Sequence, residues 1–109
     1  MPRDAGLPPG TLTLLILRVL NTQPLHGYAI AQRIHQLSEQ ELSVEEGSLY
    51  PALQKLLLNG WVKATWSVSE SGRDVREYRL TAAGRKQLET AIAEYRRVTH
   101  AVGLLLDHA

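Results

Sequence analysis

The chain has 109 residues, of which 44% are hydrophobic and 21% are charged, and its formal net charge is +1. This length predicts a single domain, and the composition is ordinary for a folded globular protein. Because the chain has no cysteine, it has neither a disulfide framework, nor a cysteine-based zinc site, nor a cysteine nucleophile.

Residues 1–10 are rich in proline and glycine and are predicted to form a flexible N-terminal segment. Arg3 is not followed by a long apolar run, so this segment does not resemble a signal peptide. No stretch of the chain reaches the roughly 18 consecutive apolar residues that a membrane-spanning helix needs. The expected location is therefore the cytoplasm, and no membrane partner is expected.

Two helices are predicted in the first third of the chain. Apolar residues at helical spacing predict a first helix over residues 11–22, and Pro24 marks its end. A similar pattern predicts a second helix over residues 26–37.

A third helix is predicted to end at Gly60, a residue type that accepts the left-handed conformation of a helix C-terminus. Ser43 and Glu46 have the spacing of a capping box, with Ser43 as the N-cap. Pro51 would disturb a helix that begins so early, so either the helix kinks at Pro51 or its regular part begins near Ser48 with Pro51 in the first turn. We expect the later start.

The remaining chain predicts a β-hairpin and a long helix. Residues 61–69 alternate like a strand, residues 70–74 have turn chemistry, and residues 75–80 form the second strand. Thr81 is predicted to cap a helix that runs to about Leu106. Helix, glycine stop, hairpin and helix, in this order, are typical of a winged helix.

The predicted fold class is therefore α+β, mainly α: a winged helix-turn-helix followed by a long C-terminal dimerisation helix. The expected division is a flexible segment over residues 1–10, a DNA-binding domain over 11–80 and the dimerisation helix over 81–109.

Positive charge is concentrated around the predicted hairpin. Residues 63–86 contain six basic and three acidic residues, whereas residues 1–62 and 87–109 each have a net charge of −1. Because phosphate contacts by lysine and arginine dominate affinity for DNA, a local basic patch suffices without a basic chain. A solvated, charged strand pair is the alternative interpretation.

Several spaced motifs resemble the PadR family of bacterial transcriptional regulators, over roughly residues 11–88. The matching segments are Leu14–Leu17, His26–Ile30, Ser48–Leu56, Gly60 and Tyr78–Gly84. The resemblance implies a winged-helix fold, a DNA-binding function and no cofactor. It also implies that Tyr50 and Ser48 belong to the recognition helix and hold the DNA backbone. A half-buried core aromatic is the alternative for Tyr50.

The candidate DNA-binding residues lie on the third helix and in the hairpin, or wing. They are Ser48, Tyr50, Pro51, Gln54, Lys55, Ser71, Gly72, Arg73 and Arg76. Glutamine can pair with adenine, lysine with guanine or phosphate, and arginine is favoured in a minor groove. Asp74 and Glu77 weaken the electrostatics of the wing. Trp61 and Trp66 are expected to be packing residues.

The last helix repeats apolar residues at heptad spacing over less than three heptads. A helix of roughly 26 residues is about 39 Å long, so it outruns a winged-helix core and needs a partner. The resemblance implies a dimer made by this helix and the first helix of the partner chain. The candidate dimerisation residues are Leu12, Leu15, Ile16, Leu88, Ile92, Tyr95, Val98, Val102 and Leu105.

These features lead to the hypothesis of a homodimeric repressor that occupies a palindromic double-stranded DNA operator. The resemblance also implies release by a small aromatic or hydrophobic inducer, although no pocket is visible in the sequence.

Three other functions compete with this hypothesis. A metal sensor would have only four histidines and Asp107 as candidate ligands. His100 and His108 are eight residues apart, which disfavours one tetrahedral ion within a chain and leaves a site shared across a dimer as the alternative. A winged helix that binds protein instead of DNA is compatible with the acidic residues of the wing. An enzyme is disfavoured because no recognisable catalytic motif is present.

Overall fold

The structure is a computed structural model that describes residues 7–8 and 10–108. Most of the predicted flexible segment over residues 1–10 therefore lies outside the described residues. The elements, in chain order, are α1 (Thr11–Leu20), β1 (Leu25–His26), α2 (Gly27–Leu37), α3 (Glu46–Leu58), β2 (Val62–Val68), β3 (Asp74–Leu80) and α4 (Ala82–His108). This is the predicted fold class, mainly helical with a small antiparallel sheet.

The core lies between the first three helices, the base of the hairpin and the start of α4. Apolar side chains from all these elements are buried there, since their helical or strand spacing puts them on one face of each element. The fully enclosed members are Ile16, Leu17, Ile30, Leu49, Leu53 and Leu56. The core therefore fixes how α2 and α3 are oriented relative to the hairpin.

The turn after α2 differs from the sequence prediction. The backbone N–H of Gln40 donates to the carbonyl of His35 at 2.7 Å, and Glu39 and Gln40 both have positive φ, which closes the C-terminus of α2. Ser43 lies in the extended segment that follows, 3.5 Å from the His35 ring, and is not an N-cap. The predicted capping box is wrong, because the N-cap of α3 is Glu45.

Pro51 is the sixth residue of α3, not a residue of its first turn as predicted. Because proline has no backbone N–H, the carbonyl of Gly47 receives no hydrogen bond from the position four residues later. The helix nevertheless continues to Leu58, since Leu49, Leu53 and Leu56 anchor both sides of the proline in the core.

The sheet has three strands in the order β1-β3-β2, all antiparallel. The hairpin pairs Trp66 with Arg76 and Val62 with Leu80. The third strand, which the sequence prediction missed, consists of only two residues, and Leu25 pairs with Tyr78. This short strand attaches the start of α2 to the base of the wing.

The start of α4 is tied to the end of α3 by Thr81. Its backbone N–H donates to the Trp61 carbonyl at 3.0 Å and its hydroxyl donates to the Gly60 carbonyl at 2.8 Å. The same hydroxyl oxygen accepts the backbone N–H of Gly84 at 3.0 Å, so Thr81 is the predicted N-cap.

The rest of α4 leaves the core. None of the side chains in residues 93–108 is buried, and the molecule extends 55 Å along its longest axis. Ile16 is 0% exposed and Leu88 is 3% exposed, so both belong to the core of their own chain and have no surface left for a partner. Their prediction as dimerisation residues is corrected accordingly. Within the described residues, no helix combines the length and apolar character needed to cross a bilayer.

Candidate nucleic-acid interface

One face of α3 is exposed along its length. Tyr50, Pro51 and Gln54 lie on this face, opposite the leucines that enter the core. Spacings of three and four residues put the three side chains next to each other. The sequence-predicted residues on this helix are thus brought together on one surface.

Tyr50 spans the junction between α3 and α2. Its side chain is 45% exposed, and a methyl group added at Gly27 would lie 3.0 Å from the Tyr50 hydroxyl oxygen. The ring therefore covers the first residue of α2, a helix with no acidic residue in its first turn. The Tyr50 ring is partly covered, as the alternative of a half-buried aromatic expects. Its hydroxyl lies beside Gly27, at the N-terminus of α2. The sequence prediction missed Gly27 as its neighbour, although Gly27 stands at the predicted helix start.

Two other candidates flank the exposed face. Ser48 is half-buried, and Lys55 is exposed but also lines a cleft between α1 and α4. The N-terminus of α3 itself has Glu45 as N-cap and Glu46 in its first turn. These carboxylates lie at the positive end of the helix dipole, and their negative charge opposes phosphate binding at that end.

The tip of the wing is a closed turn. The backbone N–H of Ser69 donates to the Arg73 carbonyl at 2.8 Å, and that of Gly72 donates to the Ser69 carbonyl at 2.9 Å. Gly72 has φ of 83°, a conformation that glycine adopts without strain. Ser71, Gly72 and Arg73 are all exposed at this tip.

Arg76 is held between two aromatic rings. Its guanidinium carbon lies 5.9 Å from the centroid of the Trp66 ring and 5.8 Å from that of Tyr78. Trp66 is 73% exposed, so its prediction as a packing residue is wrong, whereas Trp61 is half-buried against the core as expected. The sequence does not show how far along the strand the core extends. A tryptophan on a predicted strand is therefore expected to be buried, and for Trp66 this expectation was wrong.

The two acids of the wing lie on opposite faces. Residues 74, 76, 78 and 80 of β3 share a face by strand alternation, and Glu77 points to the other face, where its carboxylate is 3.9 Å from Arg79. Only Asp74 shares the face of Arg76. The basic character of this face is thus reduced by one acid, not two.

Tyr78 packs in the core. Its side chain is 4% exposed, and burial raises the pKa of its phenol, an effect that Arg76 opposes and Tyr50 increases. Trp66, Arg76 and Tyr78 lie next to each other on one face of the hairpin, and we call these three residues, together with Tyr50 of α3, the aromatic row.

A cleft with a volume of about 420 Å³ lies between α1, the end of α3 and α4. Leu14, Trp61 and Tyr95 supply apolar walls, and Lys55 and Glu94 supply charge. Among the described residues, no group of three or more histidine, aspartate or glutamate side chains is placed to hold a metal ion.

Residues 16–90 match the Transcriptional regulator PadR-like family. A PadR family transcription regulator from Clostridium difficile is 28% identical with a TM-score of 0.75, and the match covers 89% of this chain and 99% of that one. A transcriptional regulator from Clostridium thermocellum shares the fold with a TM-score of 0.79 at 24% identity, over 86% of this chain and 91% of that one.

An uncharacterized 37.1 kDa protein of a Streptomyces fradiae transposon is 43% identical over 76 residues, which are 70% of this chain and 20% of that protein. The PadR-like family comprises transcriptional regulators and not enzymes. The fold, the exposed face of α3 and the match over residues 16–90 agree, and the chain belongs to the PadR-like family of transcriptional regulators.

Proposed function

We propose that this transcriptional regulator is a homodimeric repressor that binds a palindromic double-stranded DNA operator through α3 and the wing. The observation that carries the proposal is the common surface formed by the exposed face of α3 and the aromatic row. Membership of a family of transcriptional regulators supports DNA as the partner. The proposed location is the cytoplasm, where the chromosome of a bacterium or archaeon lies.

The proposed division of roles follows the chemistry of each side chain. Gln54, exposed on α3, reads a base edge, since a glutamine amide can pair with adenine through two hydrogen bonds. Tyr50 donates its hydroxyl to a backbone phosphate beside the N-terminus of α2, where the helix dipole favours an anion. The remaining proposed contacts are Ser48, Pro51 and Lys55 on α3 and Ser71, Gly72, Arg73 and Arg76 in the wing.

The exposed half of α4 supports the proposed dimer. Apolar side chains along it remain exposed in the single chain, and an amphipathic helix of this kind needs a partner. The proposed dimerisation residues are Leu12 and Leu15 of α1 and Ile92, Tyr95, Val98, Val102 and Leu105 of α4. A two-fold dimer would present two α3 helices to half-sites about 34 Å apart on one face of the duplex.

A small aromatic or hydrophobic inducer is proposed to bind in the cleft between α1 and α4. Trp61 and Tyr95 offer aromatic surface there, and the volume of about 420 Å³ is within the range of small-molecule sites. Because α4 also belongs to the proposed dimer interface, a ligand in this cleft would change the spacing of the two α3 helices. A titration with phenolic compounds that leaves operator affinity unchanged would contradict this part of the proposal.

The test is fluorescence anisotropy with the DNA directly upstream of this protein's own gene, at two salt concentrations, beside a scrambled duplex of the same composition. We expect tight binding to the native duplex that weakens steeply with salt. Equal weak binding to both duplexes would mean that the native upstream duplex is not the operator. No binding to either at low salt would favour a winged-helix module that binds protein instead of DNA.

A further inference from the structure

Trp66 is a large aromatic side chain that does not contribute to the core. It lies on the same face of the hairpin as the buried Val62 but four residue pairs further out, where its side chain is 73% exposed. Its backbone partner across the sheet is Arg76. An exposed tryptophan beside an arginine is the composition found at binding surfaces.

The ring contacts fix the position of the Arg76 guanidinium. It lies within 6 Å of both the Trp66 and the Tyr78 centroids. Tyr78 is held by the core, so the guanidinium has one rigid support and one exposed support. Attraction to the two ring faces restricts a side chain that would otherwise lose much rotamer freedom on binding. The Arg76 side chain is exposed, so its guanidinium N–H groups can donate to an anion.

The charges around this site favour an anionic partner. Glu77 points to the opposite face of the sheet and is near Arg79 there, so it does not neutralise Arg76. Asp74 is two residues away on the same face and sets a limit on the attraction. Arg76 and Trp66 lie on the face of the hairpin whose inner residues pack against the helices, and Tyr50 of α3 is a proposed phosphate contact, so the proposal seats one duplex against both.

We propose that Trp66 is a positioning residue, which holds Arg76 against a backbone phosphate of the operator and lies against the adjacent sugar. The proposal rests on the proposed function and adds a residue to its interface. In this proposal Arg76, which lies near the Trp66 and Tyr78 rings, contacts a phosphate in addition to the residues of the wing tip.

The test uses the full chain and the duplex upstream of its own gene, titrated by anisotropy over a series of salt concentrations. We expect Trp66→Ala and Arg76→Ala each to weaken binding roughly three- to tenfold. Both should reduce the salt slope by about one, the value of one lost phosphate contact. The double variant should bind no more weakly than the weaker single variant, because the two side chains act as a unit.

Two matched variants control for non-specific effects. Trp66→Phe keeps a ring under Arg76 and should retain most of the affinity and the full salt slope. Arg79→Ala removes an arginine from the same strand but from the opposite face, and should change affinity by less than about twofold. A second readout uses Trp61→Phe, in which Trp66 is the sole tryptophan, and its emission should change when the duplex is saturating.

The outcomes separate this inference from the proposed function. If the wild-type chain binds its duplex and Trp66→Ala matches it in affinity and salt slope, the positioning role is wrong while the proposed function stands. Equal losses for Arg79→Ala and Arg76→Ala would also overturn it. A wild-type chain that binds no DNA at low salt would overturn both.

Discussion

At the scale of single residues, Gly84 allows the start of α4 to pack against Trp61 and Leu80. A methyl group there would overlap the carbonyl oxygen of Trp61 and lie 2.7 Å from the Leu80 side chain. The backbone cannot yield, because that carbonyl also accepts the Thr81 N–H. Gly84→Ala is therefore expected to lower the free energy of unfolding by about 3 kcal/mol or more.

Denaturant unfolding at fixed protein concentration measures this effect, and Gly47→Ala is the matched control. Gly47 is also in a helix, but a methyl group there meets nothing within 4 Å. The control should be neutral or gain up to about 1 kcal/mol from helix propensity. Wild-type stability in Gly84→Ala would mean that α4 does not pack as described.

Gly27 has a different role, because its neighbour is Tyr50, a proposed DNA contact. In Gly27→Ala the new methyl group displaces the Tyr50 ring, which is half-exposed and able to move. We expect a change in stability below about 1 kcal/mol, together with operator binding that is weaker by about 1 kcal/mol, the scale of one hydrogen bond. In a Tyr50→Ala background, Gly27→Ala should have no further effect on binding. An additive loss would show that Gly27 acts independently of Tyr50.

Tyr78 makes stability depend on alkaline pH. Burial raises its phenol pKa above the ordinary value of 10.0, so the folded state keeps the proton that the unfolded state loses first. Its contribution is complete below about pH 10 and is lost as the pH rises through the folded pKa. Unfolding free energies measured from pH 8 upward should therefore decline less in Tyr78→Phe than in wild type. The exposed Tyr28→Phe is the control, and identical curves for wild type and Tyr78→Phe would contradict the argument.

At the scale of elements, α3 contains a proline that removes one backbone hydrogen bond from a helix proposed to bind DNA. Pro51 leaves the Gly47 carbonyl without its helical partner, and its ring lies on the exposed face. Pro51→Ala supplies the missing N–H and should raise the free energy of unfolding by about 1–2 kcal/mol, after the greater freedom of the unfolded chain is subtracted. Chemical denaturation measures it, with the exposed non-helical Pro24→Ala as control. Lower stability in Pro51→Ala would mean that the proline fits this helix without cost.

The elements that the sequence predicted well are those with local signals. Apolar periodicity located α1, α2 and α4, Gly60 marked the end of α3, and Thr81 was recognisable as an N-cap from its own neighbourhood. The two-residue strand at Leu25 was missed because its partner, Tyr78, is 53 positions away, and no local pattern records that pairing. Ser43 fits a capping box by spacing, yet the turn after α2 places it beside His35 instead.

The same distinction applies to the candidate interface. Exposure of Tyr50 and Gln54 follows from helix periodicity once the leucines are placed in the core. The position of Arg76 over Trp66 depends on strand register and on where the core ends, and neither is readable from one sequence. For the same reason, the sequence prediction counted both wing acids against Arg76, whereas strand alternation places Glu77 on the opposite face.

At the scale of the whole molecule, α4 makes the single chain elongated and leaves apolar side chains uncovered. The radius of gyration is 15.1 Å, compared with about 13 Å expected for a compact domain of this length. The excess comes from the half of α4 that projects beyond the core, where valines and leucines are exposed. These side chains recur at heptad spacing, which favours helix-to-helix packing over contact with a flat surface.

Val102 lies at the middle of this projecting stripe, so a charge there should oppose the proposed dimer. Val102→Glu is expected to shift the protein to a monomer, since two carboxylates would be buried near a two-fold axis. His100→Glu, about 160° away around the same helix, should leave the dimer intact. Light scattering coupled to size exclusion gives the mass, and anisotropy gives operator affinity. A monomer reads one half-site only, so affinity should fall with the mass. If Val102→Glu stays dimeric and binds DNA like wild type, the dimer is not formed by this stripe of α4.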